Sequence, residues 1–114
     1  MTINADEIFE KITDAAQDSF KDGWDAIKDY APVEFKKMSV QLESIAKNVA
    51  KYQIDSNEGY SPATGKILFS MQRTACESVL VAVTHLTLIA VQKALNSIMK
   101  VLKEAFGTVL AAVL

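Results

Sequence analysis

At 114 residues, half of them hydrophobic and 23% charged, the chain is long enough for one domain with a real core and too short for two. That hydrophobic content with a net charge of -2 excludes disorder, which needs low hydrophobicity and high net charge, and gives no general pull toward nucleic acid or an anionic membrane. A single cysteine, Cys76, rules out an internal disulfide. Together with a start that has no basic stretch ahead of an apolar run, it points to a reducing, cytoplasmic setting.

The first element is a helix from about Asn4 to Tyr30. Asn4 is an N-cap residue, Glu7 stands at the capping-box spacing, and Ile3 and Ile8 hold the two positions of a hydrophobic staple. Ile8, Ile12, Ala15, Ala16, Phe20, Trp24, Ile27 and Ala31 recur at mostly three- and four-residue steps and form one apolar stripe. Asp6, Glu10, Asp14, Asp18, Asp22, Asp25 and Asp29 lie between them as a solvated acidic face. Gly23 sits inside this span, where it permits close packing at a cost of up to ~1 kcal/mol against Ala.

Pro32 ends that helix and suits the first turn of the next. The second helix, about Pro32 to Ile54, carries an a/d seam of Phe35, Met38, Leu42, Ile45, Val49 and Tyr52. The stretch from Asp55 to Ser61 reads as a loop, and Ser61-Pro62 as an N-cap followed by a first-turn proline. From Pro62 to Val113 no further proline occurs, and Gly107 is the only glycine after Gly65. The pattern predicts one long helix there, straight or kinked. Its stretch from Val79 to Val91 is apolar nearly all round, and a narrower seam continues through Leu95, Ile98, Leu102 and Val109.

The charges divide along the chain. Through Tyr60 there are twelve acids and seven bases, and from Ser61 onward five bases and two acids. An acidic front and a basic back favour pairing between helices of the same chain over an external polyanion. The mild basic face of Lys36, Lys37, Lys47 and Lys51 has no aromatic interleaving and no nucleic-acid motif, so nucleic acid is not an expected partner.

No constellation carries chemistry. A di-iron bundle site needs several inward carboxylates with Glu-x-x-His pairs, but the one histidine, His85, has no Glu three residues before it. Glu7 and Glu10 are correctly spaced yet fall in the acidic face. Cys76 and His85 are nine apart on one predicted helix, too far for a Cys-His pair within a chain. His85 is expected as a core or interface histidine and Cys76 as a buried or half-buried thiol. Gly59 and Gly65 are isolated, so no phosphate loop exists. The expectation is no catalytic residue, no cofactor and no metal.

The charge-free run from Ser78 to Gln92 is about fifteen residues, short of the ~20 needed to span a bilayer. A core or interface helix explains it better. The fold class expected is therefore all-α: a helical hairpin plus a long C-terminal helix that completes a multi-helix bundle by oligomerisation. Two apolar stripes cannot cover the long helix, and hiding even ~800 Å² of apolar surface is worth about 20 kcal/mol before association costs. Leu88, Val91, Leu95, Ile98, Leu102 and Val109 are the residues placed at the interface with a second copy. The functional expectation is a structural or protein-interaction module forming a homodimer or higher oligomer. The alternatives are an amphipathic surface-coating or lipid-binding protein and a small metalloprotein assembled across subunits.

Overall fold

The computed structural model describes residues 3–114, apart from the side chains of 108 and 109. It is all-helical, with no strand among the described residues. The elements are α1 (Ala5–Phe20), a short α2 (Trp24–Ile27), α3 (Ala31–Ile54), α4 (Pro62–Val83), α5 (Leu88–Phe106) and a short α6 (Thr108–Ala111).

The starts of these helices follow from their caps. The Asn4 side chain accepts from the Glu7 N–H at 2.9 Å, and Ile3 and Ile8 are both buried, as cap and staple require. A second free donor of α1, the Ala5 N–H, goes to Glu43 Oε2 of α3 at 2.6 Å. Pro32 occupies the first turn of α3. Ser61 caps α4 by accepting from the Thr64 N–H, with Pro62 in the first helical position. The 55–61 loop is closed by Tyr60 N–H donating to Asn48 O.

Two expected helices are shorter than the sequence pattern suggested. The first ends at Phe20 instead of running to Tyr30, because Lys21 takes a positive φ of 51°. A single helical turn, Lys21–Gly23, and α2 then cross the end of the bundle. This puts Ile27 in the core and Gly23 against Leu86, close enough that a Cβ would lie 3.2 Å from Leu86 Cδ2. The second correction is larger. The segment from Pro62 to Val113 is not one helix. It breaks at Thr84–Thr87 and again at Gly107, where φ is +65° and the Gly107 N–H donates to Lys103 O.

The first break folds α5 back along the molecule. The long helices then pack in a closed ring: α1 beside α3, α3 beside α4, α4 beside α5, and α5 beside α1. The result is an antiparallel four-helix bundle 46 × 23 × 19 Å in extent. One continuous core runs through it, from Ile8 and Ile12 of α1 and Phe35, Met38, Leu42 and Ile45 of α3 to Leu80 of α4 and Leu95, Ile98 and Leu102 of α5. The C-terminal turn returns to the start of α4, where Val113 is buried beside Gly65.

This geometry revises the expected interface. Val91, Leu95, Ile98 and Leu102 are all fully buried in the chain's own core. Leu88 is about half exposed, at the break, and Val109 falls outside the described side chains. A second copy is not needed to cover α5, since α1 covers it.

Charge pairing between the first two long helices is present and small. Lys36 Nζ of α3 lies 2.8 Å from Asp6 Oδ1 of α1 and 5.6 Å from the centre of the Phe9 ring. The hydrogen bond from Lys36, then its charge, holds the Asp6 carboxyl below its ordinary value of 3.8. The Ala5 N–H, then Lys47, does the same for Glu43 against 4.5. The Asp6 side chain is 91% exposed and that of Glu43 28%, with both lysine partners in solvent, so their contribution is orientation more than stability.

Two outcomes follow. A depressed carboxylate stabilises the fold above its ordinary pKa and loses that contribution as pH falls through the lower folded value. The α1 N-terminus should therefore fray first on acidification below about pH 4.5, seen as early loss of amide protection at Ala5 to Ile8, with the core intact. Separately, a Cβ at Gly65 would lie 2.8 Å from Ile45 Cγ2 and 3.0 Å from Val113 Cγ1. Gly65→Ala should lower stability by about 1–2 kcal/mol in urea unfolding, since overpacking outweighs the gain in helix propensity.

Candidate interaction surface

The outer face of α4 departs from the rest of the surface. Of the seven exposed positions on α1, six are charged; of the eleven on α4, only Lys66 is. The other charged residues of α4, Arg73 and Glu77, are turned toward α5. What remains outside is Ala63, Ile67, Met71, Thr74, Ser78 and Ala82, at steps of three and four, with Ser70 and Ala75 beside them. Ile67 and Met71 are 64% and 66% exposed, which is unusual for large apolar side chains at adjacent turns of one helix. A shallow depression of about 430 Å³ lies along Ala63, Lys66, Ile67, Ser70 and Met71. A second, of about 310 Å³, continues across Gln41, Leu68, Met71 and Gln72 into the α3–α4 groove.

The inward side of α4 explains why its charges are missing from the surface. Arg73 Nε donates to Glu77 Oε1 at 3.0 Å, and its terminal amino group donates to Asn96 Oδ1 at 2.7 Å and Gln92 O at 3.3 Å. Gln92 Nε2 reaches Glu77 Oε2 at 3.4 Å. The guanidinium thus ties α4 to α5 through a planar fork that a lysine could not reproduce. This bridge spans the least closely apposed pair of neighbouring long helices. A cleft of about 290 Å³ opens there, lined by Lys66, Ser70, Arg73, Thr74, Glu77 and Gln92 with the C-terminal Val113 and Leu114. Its guanidinium is already committed to three acceptors and Glu77 contributes a negative charge, so the cleft is a poor anion site.

Beneath this network lies Cys76, fully buried. Its thiol is pushed up to about 12, first by burial, then by the negative charges of Glu34 and Glu77, against the opposing charge of Arg73. Glu34 is buried on α3 and is paired with Lys37 at 3.2 Å. Cys76 is buried as the sequence led one to expect, but the burial of Glu34 and of Glu77 was not expected, since a lone Glu reads as surface. The Arg73-to-Glu77 spacing of four residues, ideal for an ion pair on a helix, was the available signal for Glu77.

The remaining candidates separate. His85 is exposed in the Thr84–Thr87 loop, which overturns the core half of the expectation of a core or interface histidine. Glu7 and Glu10 are both exposed on α1. Among the described residues, no three His, Cys, Asp or Glu side chains converge where a metal could be held, and no helix is long and apolar enough to cross a membrane. The fold and surface define the class, an antiparallel four-helix bundle with one outer face on which Lys66 is the single charge. No family model, curated protein or solved structure matches the chain.

A thiol held near 12 is almost wholly protonated at pH 8, and the thiolate is the nucleophile. Native protein should therefore resist iodoacetamide at that pH over hours, and should gain one adduct by mass spectrometry once denatured.

Proposed function

We propose that the protein is a helical protein-interaction module that associates with a second copy of itself through the outer face of α4. The observation that carries this reading is the loss of every exposed charge but Lys66 along α4, with Ile67 and Met71 standing out of its outer face. A 22-residue helix is ~33 Å long. A charged partner would have to strip water from its own charges along that length without return.

The face is also complementary to itself. Its N-terminal half bears the bulky Ile67 and Met71, and its C-terminal half the small Thr74, Ala75, Ser78 and Ala82. An antiparallel pair of α4 helices about a two-fold axis near Gln72 and Arg73 sets each bulky half on the partner's small half, the isologous arrangement of most homodimers. The two copies of Lys66 would then stand ~20 Å apart, beyond screening range. The helix faces alone cover on the order of 700 Å² in total. That is below the ~1,000 Å² of a stable interface, so the α3–α4 groove with Val40 and Leu68 must take part, and the association is weak.

The lipid-coating alternative uses the same face but is less favoured by it. Ser70, Thr74 and Ser78 dilute its apolar stripe, and one lysine supplies little attraction to anionic headgroups.

Light scattering should show a concentration-dependent dimer for the native chain. Ile67→Glu with Met71→Glu should shift it to monomer with helicity unchanged, because both side chains are outside the core. A monomer at every concentration for the native chain, or an unchanged dimer for the double variant, removes this reading. Co-sedimentation with lipid vesicles in place of dimerisation supports the alternative.

A further inference from the structure

The break between α4 and α5 is the point where the structure departs most from the sequence pattern. No glycine or proline lies between Gly65 and Gly107. Thr84 and Thr87 are extended, at φ -129°, ψ 177° and φ -76°, ψ 156°, and no loop residue takes a positive φ. The bend is therefore held by side chains. The Thr84 hydroxyl donates to Leu80 O, and its oxygen accepts from the Leu86 N–H at 3.1 Å. Thr87 Oγ1 accepts from the Ala90 N–H at 3.1 Å. Leu86 closes over Gly23. Nothing in the covalent chain prevents these four residues from being helical.

Around the bend, apolar surface is left bare. Val83 is 42% exposed, Leu88 48% and Ile89 67%, and Ala82 and Ala90 are exposed beside them. These residues close no part of the chain's own core.

We propose that the chain also forms a domain-swapped dimer in which Thr84–Thr87 become helical, α4 and α5 join, and each α5 enters the bundle of a second copy. The proposal rests on the self-association reading above but not on the α4 face. Each core contact of α5 with α1 is remade with the other copy, so Leu95, Ile98 and Leu102 stay buried. The joined helices regain the backbone hydrogen bonds lost at the bend. Crossing at the former loop, they bring Val83 and Leu88, on the two flanks of the joined helix, beside those of the other copy, whereas Ile89 lies ~240° round from Val83 and stays outside. Short hinge loops whose residues can extend a flanking helix are where such exchange occurs at low cost.

Leu88 supplies a discriminating variant. It is the first residue of α5, the position where proline is favoured. Thr87 before it is already extended, as a residue preceding proline requires. Leu88→Pro is thus compatible with the folded-back chain, whereas inside a joined helix it removes a hydrogen bond and clashes with the carbonyl four residues earlier. Thr84→Ala with Thr87→Ala acts in the opposite direction by deleting the oxygens that hold the bend.

The experiment is refolding from denaturant at low and high protein concentration, followed by light scattering after dilution. The native chain is expected to yield a dimer fraction that rises with refolding concentration and dissociates slowly, because exchange requires the core to open. The alanine pair should raise that fraction by ~10-fold, and Leu88→Pro should lower it by ~100-fold or more. Spin labels at Thr74→Cys and Ser97→Cys in one chain, diluted with unlabelled protein, should lie ~35 Å apart in the dimer, against the ~10 Å spacing of neighbouring helices in the monomer.

Dimer that survives Leu88→Pro but is lost in Ile67→Glu with Met71→Glu overturns the swap and leaves the α4 face standing. Dimer lost in Leu88→Pro but kept in the α4 variant supports the swap and removes the α4 face. If Leu88→Pro does not fold, the alanine pair decides: no rise in dimer, or a short label distance within it, overturns the proposal.

Discussion

Everything in this molecule depends on the reversal of the chain at Thr84–Thr87. Without it, α1, α3 and α4 would form a three-helix sheet of cylinders with an open trough, and α5 would project past them as a helix with an apolar stripe. With it, α5 lies in the trough and is held by α1 on one side and α4 on the other. The large side chains of Leu95, Ile98 and Leu102 leave water completely. Burial of three such residues is worth roughly 5–9 kcal/mol, comparable to the whole net stability of a small domain. Four residues without glycine or proline thus decide whether the chain is closed or open.

The division of charge follows from that closure. Acidic α1 lies between α3 and α5, which carry most of the exposed lysines, and one ion pair, Asp6 to Lys36, ties it to α3. The opposite helix, α4, spends its two internal charges on the bridge to α5, with Arg73 and Glu77 turned inward. An ion pair moved from a surface to a seam serves two ends at once. It satisfies the polar backbone and side chains of the loosest helix pair, and it strips the outer face of the repulsion and hydration that keep other faces apart.

Much of the fold was legible in the sequence because its signals are local. Asn4, Pro32, Ser61 and Pro62 mark helix starts through side-chain and ring geometry that acts within three residues, and all four are found in those roles. The stripes of α1 and α3 gave the core residues for the same reason. The bend at Thr84–Thr87 was not legible. Threonine caps a helix only when the backbone has already left the helical path, and here that departure is fixed by Leu86 meeting Gly23, sixty residues away in the chain. Lys21 is similar: nothing in a lysine announces a positive φ. The expected interface residues Val91, Leu95, Ile98 and Leu102 were correctly read as needing cover, but the source of the cover depended on the bend. The charge-poor face of α4 was visible as an absence of charge from Ile67 to Met71 and from Thr74 to Ala75, yet the denser apolar run after Ser78 drew the reading away from it.

The closed ring also imposes an order of events on the growing chain. Every neighbouring pair of long helices in the bundle is adjacent in sequence except one, α1 with α5. The first three pairings are hairpins between consecutive long helices, and the third of them, like the last, needs α5. The last joins the two extremes of the chain and waits for the end of α5. At 5–20 residues per second, the stretch from Leu88 to Leu114 takes roughly 1–5 s to emerge. A trough between α1 and α4 assembled in that interval would be apolar and empty. On a messenger carrying several ribosomes, the nearest segment shaped to fill it is the α5 of a neighbouring nascent chain.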